Sequence, residues 1–567
     1  MLYPKTNEKR IAISLNGIWN FNYVDLNYHP NQPLIEPRLI GVPSSFNELF
    51  TSKDERDFVG KVCYEKIISI PKNVMDVIWK IRIGAAGNRS EVYLDGILIG
   101  AHNGGFLPID LELPIKEDQT DYRLSIILDT RLDYQTLPIG EITYEKNQPK
   151  QTIHYDFANL IGLHRNVYLY CVPFYHIKDI KIKTIHQYSL TLVDYEIDTT
   201  DQVRKVELID PDGKIIGSSS SIKDQINVVN PKLWDIGQGI LYKLRVETEH
   251  DVYEERFGIR KVEIKGKQLL LNDKPIYLKG FGMHEDHVTV GKGSISALNI
   301  RDFSLLKWIH ANSFRTSHYP YAEEMYDLAD QMGILIINEM PAVGLNFWSN
   351  KQVFNEETVN RNSIEVYKKQ FDELIERDKN HPAVIMYSLA NEANTHEEHA
   401  LYYFNEVFAH ARSKTSLPLM IVEWVGANDN KVAQLADVIG LNRYIGWYVD
   451  FADLSVIPEK LLEAFDSYYN KFHKPMMLTE FGADTIMGLH QLPSVAFSEE
   501  FQVELIEAYK KVIEKLDFII GEHVWNFADF QTKQGLTRIN GNKKGVFSRD
   551  RQPKMVAHFL RKAWEKQ

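Results

Sequence analysis

Four glutamates in the second half of the chain each close a short apolar run. Glu392 ends Val384-Ile385-Met386-Tyr387-Ser388-Leu389-Ala390-Asn391-Glu392, and Glu480 stands in the same layout in Lys474-Pro475-Met476-Met477-Leu478-Thr479-Glu480. Glu339 and Glu423 follow two further runs of this kind. An unbroken apolar run this short reads as a strand buried on both faces of a parallel sheet. Barrels of such strands carry their chemistry at the strands' carboxyl ends. Two carboxylates converging there suit glycoside hydrolysis. One stays protonated and donates to the leaving oxygen; the other, about 5–5.5 Å away, attacks the anomeric carbon. The plainer alternative is that each acid starts the next helix or forms an ion pair.

The elements that must position these acids lie in residues 264–567, where strand-like and helical runs alternate. The strands read as Ile276–Lys279, Ser313–Thr316, Ile334–Ile337, Val384–Leu389, Leu419–Val422, Val438–Leu441, Met476–Leu478 and Ile519–Trp525. Tyr321, Met325, Leu328 and Met332 repeat with helical spacing up to Gly333, and Leu505, Tyr509, Val512 and Leu516 do the same. Eight βα units in about 300 residues have the size of a TIM (β/α)8 barrel. Its fourth and seventh strands lie on facing sides, which brings Glu392 and Glu480 over one centre.

The first part of the chain reads as all-β. Residues 1–173 alternate with a period of two, with a hairpin at Val92–Ile99 turning on Asp95-Gly96 and further strands at Tyr122–Leu128 and Val167–Tyr170. A β-sandwich follows from this pattern. Residues 174–263 hold more regularly spaced strands, among them Val203–Ile209 before the turn Asp210-Pro211-Asp212-Gly213, and Leu241–Val246. They suit an immunoglobulin-like sandwich.

Composition narrows the partners. A formal charge of −12 argues against nucleic acid or an anionic membrane. Two cysteines, Cys63 and Cys171, in 567 residues fit a reducing, cytoplasmic setting. Met1-Leu2-Tyr3-Pro4-Lys5 opens without the apolar core of a signal peptide, and no run is long and apolar enough to read as a transmembrane helix.

Longer blocks carry a resemblance. Ser388-Leu389-Ala390-Asn391-Glu392 and Leu478-Thr479-Glu480-Phe481-Gly482 resemble the acid/base and nucleophile segments of glycoside hydrolase family 2, and the order of the three domains is that family's. The similarity runs from Leu15-Asn16-Gly17-Ile18-Trp19 to Asp550-Arg551-Gln552-Pro553-Lys554 and is closest to the branch that cleaves β-glucuronides. Arg315–Glu324, Arg377–Pro382, Leu441–Tyr444 and Trp525–Phe530 are among its matching blocks. The resemblance implies a jelly-roll-like, sugar-binding first domain. It implies Glu392 as general acid/base, Glu480 as nucleophile, Asn391 on the sugar 2-hydroxyl and Tyr444 beside the nucleophile. Asn442 falls in a matching block. Asn542 and Lys544 resemble the Asn-x-Lys motif that grips a uronic acid carboxylate, and Arg538 and Tyr448 match residues near that carboxylate. Asp156 and His284 would meet sugar hydroxyls, and Trp525 would floor the site. No metal or organic cofactor is implied. His284-Glu285-Asp286-His287 could resemble a metal cluster, but four consecutive residues do not easily face one ion. Tetrameric assembly is implied by family analogy.

The sequence also departs from the family's pattern. Ala393 replaces the usual Pro after the acid/base Glu, which should loosen the following turn. Met283 replaces a basic residue, and Ile445 replaces a second Tyr. Only Leu345 to about Asn355 precedes the next helix, a short segment that should leave the mouth open to larger glucuronides. Three readings follow: a retaining β-glucuronidase; a β-galacturonidase or mixed uronidase sharing Asn542 and Lys544; and an inactive carbohydrate-binding protein on the same scaffold.

Overall fold

The computed structural model describes residues 1–72, 74–146 and 148–566. Its amino-terminal part is a sandwich. A six-stranded antiparallel sheet, ordered Arg38–Val42, Gly17–Val24, Lys61–Ser69, Asp121–Asp129, Arg89–Leu94 and Ile97–Asn103, shares one apolar core with a four-stranded sheet built on Val77–Ile83 and Val167–Pro173. Trp19, Phe21, Tyr64, Trp79 and Leu124 fill that core. The hairpin turns where the sequence predicts. Asp95 and Gly96 take φ of 50° and 82°, the left-handed pair that a type I′ turn needs to match strand twist.

A three-stranded and a four-stranded sheet form the second, immunoglobulin-like sandwich around Ile180, Val193, Tyr195, Val206 and Leu244. The chain begins on this sandwich rather than the first. Leu2 enters its core, and the buried Arg10 guanidinium pairs with Asp251.

The carboxyl-terminal half closes into a barrel of eight parallel strands: Leu278–Gly282, Ser313–Arg315, Leu335–Glu339, Val384–Asn391, Leu419–Glu423, Val438–Asn442, Met476–Glu480 and Ile519–Val524. The first differs from the expected Ile276–Lys279. Lys274–Ile276 instead completes a small antiparallel meander, with Ile276 opposite Leu269, and the barrel strand starts after it. Strands three, five and seven also run further than read, so Glu339, Glu423 and Glu480 are their last residues. Gly333 ends the second helix in the left-handed conformation at φ 67°. The fifth βα unit departs from the expected eight: among the described residues it carries only the 3₁₀ turn Ala433–Leu435, and the sixth unit's helix follows at Ile457–Phe472. Among the described residues, no helix is long and apolar enough to cross a membrane.

Polar contacts dock the sandwiches on the barrel. Arg165 donates to Glu285 Oε2 at 3.0 Å and to the Pro320 carbonyl at 2.6 Å, and Trp234 Nε1 donates to the Asp330 carbonyl at 2.8 Å.

Candidate active site

A cavity at the carboxyl end of the barrel takes its wall from two parts of the chain. His154, Tyr155 and Asp156 come from the first 173 residues, and Asn391, Glu392, Tyr444, Tyr448, Glu480, Trp525 and Arg538 come from the barrel half. Glu480 is the last residue of strand seven. Glu392 follows strand four in the left-handed region at φ 52°, which turns the chain off the strand and leaves its carboxyl at the cavity. A non-glycine residue there costs roughly 1–2 kcal/mol. The turn is pinned by its neighbours: Glu392 N donates to Val422 O at 3.0 Å, Asn394 N to Leu345 O at 2.9 Å, and Trp424 Nε1 to Ala393 O at 3.2 Å. Ala393 lies inside this bonded turn and is itself fully buried.

The two carboxylates have different surroundings. Arg315, fully buried at the end of strand two, donates to Glu480 Oε1 at 2.6 Å, and Tyr444 OH donates to Oε2 at 2.8 Å. Two donors, one cationic, suit a carboxylate anion. The other end of the Arg315 fork holds Glu339 at 2.7 and 2.8 Å. Among the described residues, Glu392 has one side-chain donor, Asn442 Nδ2 at 2.9 Å. Withdrawal from water, and then the nearby charge of Glu480, push its carboxyl up to about 8. One acid is thus poised to hold a proton in the same cavity as one bonded as an anion. Asn442 is itself set by Thr479, which donates to its Oδ1 at 2.8 Å, and its Nδ2 also reaches Asn391 Oδ1 at 3.2 Å. Among the described residues the Asn391 side-chain amide nitrogen makes no hydrogen bond, and Asn391 lines the cavity.

Beside this pair is a cationic corner. Lys544 is fully buried, 4.5 Å from the Tyr448 ring centre and 5.6 Å from those of Tyr444 and Trp447. It forms a short ion pair with Asp484 and donates to Tyr448 OH at 2.6 Å. Burial alone would raise the Asp484 carboxyl, but Lys544 and Arg538 outweigh it and hold it below the usual range. Arg538 donates to both oxygens of Asp156, with Nε to Oδ1 at 2.9 Å, and to Tyr448 OH. Asn542 Nδ2 reaches Asp156 at 3.0 Å. The Tyr448 oxygen accepts from two cations, so its own proton points elsewhere, and Tyr448 lines the cavity.

This arrangement can hold an anionic sugar and cleave a bond to its anomeric carbon. Comparison with known proteins agrees. Residues 262–567 match the family described as glycosyl hydrolases family 2, TIM barrel domain, and residues 175–260 match glycosyl hydrolases family 2. The chain belongs to glycoside hydrolase family 2. As a family 2 member it is a glycosidase. It is 42% identical to a β-glucuronidase of Paenibacillus borealis over all of this chain and 98% of that one. A β-glucuronidase of Streptococcus agalactiae is 39% identical with the same coverage. The solved β-D-glucuronidase of Dictyoglomus thermophilum superposes with a TM-score of 0.96 at 44% identity, covering 100% of this chain and 99% of that one. A Ruminococcus gnavus β-glucuronidase solved with D-glucuronic acid superposes at 0.94 with 36% identity and 99% coverage of each.

Against this family 2 frame the expected site residues divide. Asp156, Asn391, Glu392, Tyr444, Tyr448, Glu480, Trp525 and Arg538 line the cavity; Asn442, Asn542 and Lys544 stand behind them and bond to residues that do. His284 is placed differently from the expectation. It is buried beneath the wall, 4.2 Å from the Phe530 ring, with Nδ1 on Tyr319 OH at 3.1 Å and Nε2 unpartnered among the described residues. Nor does it bond Asp286, which turns to Arg549 and the Gln531 amide. Glu285 turns to Arg165 and His287 to Arg551, so the run disperses. Of the four strand-end acids, Glu339 is an ion-pair partner, and Glu423 is buried on Thr395 at 2.7 Å, burial pushing it up to about 7. Ile445 and Met283 are both buried in the apolar core.

Sequence reasoning missed Arg315, His318, Asp484 and Lys533. Arg315 obeys the same strand-end rule as the glutamates, as the last residue of strand two, but carries a base where they carry acids. His318 stacks on Trp525 at 5.2 Å, and Lys533 lies on a loop with no periodic signal.

Proposed function

We propose that this chain is a retaining β-glucuronidase. The observation that carries the reading is Tyr448: its phenol, accepting from Lys544 and Arg538, lines the same cavity as Glu392 and Glu480. Its outward proton, backed by two cations, suits the carboxylate of a uronic acid. A neutral sugar makes no use of it.

In this reading a Glu480 oxygen attacks the anomeric carbon while the glycosidic carbon–oxygen bond breaks and the departing oxygen takes the Glu392 proton. Ester formation removes the charge of Glu480 and with it the Coulomb contribution that raised Glu392. Glu392, having given up its proton, then stays ionised and is available as the base. It takes a proton from water, which displaces Glu480 and leaves the β configuration. Asn391 holds the 2-hydroxyl, and Trp525 floors the ring. Asp156 meets sugar hydroxyls at the edge of the corner. We place the protein in the cytoplasm, where the buried free thiols of Cys63 and Cys171 stay reduced, as a homo-oligomer, tetrameric by the family analogy.

A panel of nitrophenyl glycosides with NMR of the first-formed product tests the reading. Glucuronide hydrolysis giving the β-anomer is expected. A preference for galacturonide, or an α-anomer formed first, would overturn it. Glu480→Ala should abolish turnover, and azide should rescue it with inverted product; undiminished hydrolysis would remove Glu480 from the role of nucleophile.

A further inference from the structure

Trp348 is 60% exposed at the mouth of the cavity, on the short segment after strand three. Its backbone is left-handed at φ 50°, and its amide is tied to Asn346 Oδ1 at 2.9 Å. The preceding Phe347 is anchored inward, 4.5 Å from the His154 ring. A large apolar ring left mostly exposed on a strained backbone at a cavity mouth marks a ligand-facing residue. Trp424 lies 5.2 Å from it at 49° and is fixed through Nε1 on the carbonyl of Ala393, the residue after Glu392. Trp424 also lines a second depression, with His396, Asn428, Lys431 and Lys471. That groove opens where the fifth unit carries no α-helix. The two tryptophans therefore bridge the catalytic cavity to a polar groove outside it.

We propose that Trp348 and Trp424 are a stacking platform for a saccharide aglycone, whose further sugars lie in the groove beside strand five. This deepens the uronidase reading and rests on it. The C–H face of a pyranose is complementary to the negative face of an indole. The hydroxyls of following sugars meet the His396 and Asn428 side chains in the groove, where Lys431 is engaged with Glu398 and Lys471 with backbone carbonyls; a purely aromatic aglycone would leave that polar lining unused. The enzyme would then act on the uronic acid end of an oligosaccharide.

The test compares kcat/KM for methyl β-D-glucuronide, 4-nitrophenyl β-D-glucuronide and a trisaccharide ending in β-D-glucuronate, in the unsubstituted chain, Trp348→Ala and Trp424→Phe. In Trp348→Ala the trisaccharide-to-methyl ratio should fall at least tenfold, mainly through KM. Trp348→Phe should restore part of it, and Trp424→Phe should lower it less. An equal fall on all three substrates, an unchanged ratio, or a fall confined to the nitrophenyl substrate overturns the platform alone. If the unsubstituted chain hydrolyses none of the three, the uronidase reading fails and the platform with it.

Discussion

The proton on Glu392 is the most sensitive feature of the site. Burial and the charge of Glu480 raise its carboxyl from 4.5 to about 8. As the acid it must be protonated, so kcat/KM should fall as pH rises through about 8, and Glu392→Gln should remove that limb along with most turnover; a pH–rate profile reads both. Stability follows the same sign. The folded value lies above the unfolded one, so the cost of burying Glu392 is absent below about 4.5 and grows toward about 8. Glu392→Gln should therefore be the more stable protein at pH 8 and indistinguishable at pH 4, as urea titrations would show. Loss of Lys544 should touch the fold as well as the substrate. Lys544 is buried against Asp484, so Lys544→Ala removes the nearer of that carboxylate's two cations and leaves Arg538 at 3.6 Å; the cost in unfolding free energy should fall below the roughly 3–5 kcal/mol of a fully unpaired buried charge. Tyr448→Phe is the cleaner probe of carboxylate binding. It should lower glucuronide kcat/KM about 10- to 100-fold at nearly unchanged Tm, the loss expected for one hydrogen bond to a charged group.

Strand ends do the positioning at the next scale. Strand two brings Arg315, strand six Asn442, strand seven Glu480, and the turn after strand four Glu392. The seventh and eighth are held close by Gly482, where an added Cβ would sit 2.3 Å from the Trp525 carbonyl oxygen. Gly482→Ala must push the Trp525 backbone from the end of strand seven, moving the floor and the Glu480 carboxyl apart. We expect a loss of roughly 1–3 kcal/mol in unfolding free energy by urea titration, and a larger proportional loss in kcat/KM.

The whole molecule completes the site, because the first sandwich supplies His154, Tyr155 and Asp156 to a barrel cavity. The joint is the Asp156–Arg538 pair, with Asp156 about two-fifths exposed. An exposed pair of this kind contributes less than about 1 kcal/mol to stability. It does orient Arg538 toward Tyr448. Asp156→Ala should therefore leave the melting temperature within a degree or two while lowering glucuronide kcat/KM about tenfold; a large fall in Tm with intact kcat/KM would make the contact purely structural.

The sequence by itself determined the order of two β-sandwiches and a barrel, and the convergence of Glu392 with Glu480. Period-two and apolar-run patterns are local, and a strand-end acid follows from where its strand stops. The fourth-to-seventh strand relation follows from counting. The tertiary structure alone decided the rest. Which strand-end acids face the cavity depends on side-chain partners from other strands: Glu339 is taken by Arg315 and Glu423 by Thr395. Both carboxyls are withdrawn from water; the donors that reach them from other strands, Arg315 and Tyr444 on Glu480 against Asn442 on Glu392, separate the protonation of one from the anion contacts of the other. His284 carries a motif that suggests sugar contact, yet Tyr319 and Phe530 enclose it. The joining of Trp348 to Trp424 spans 76 residues and two loops, so no local pattern in the chain could announce it.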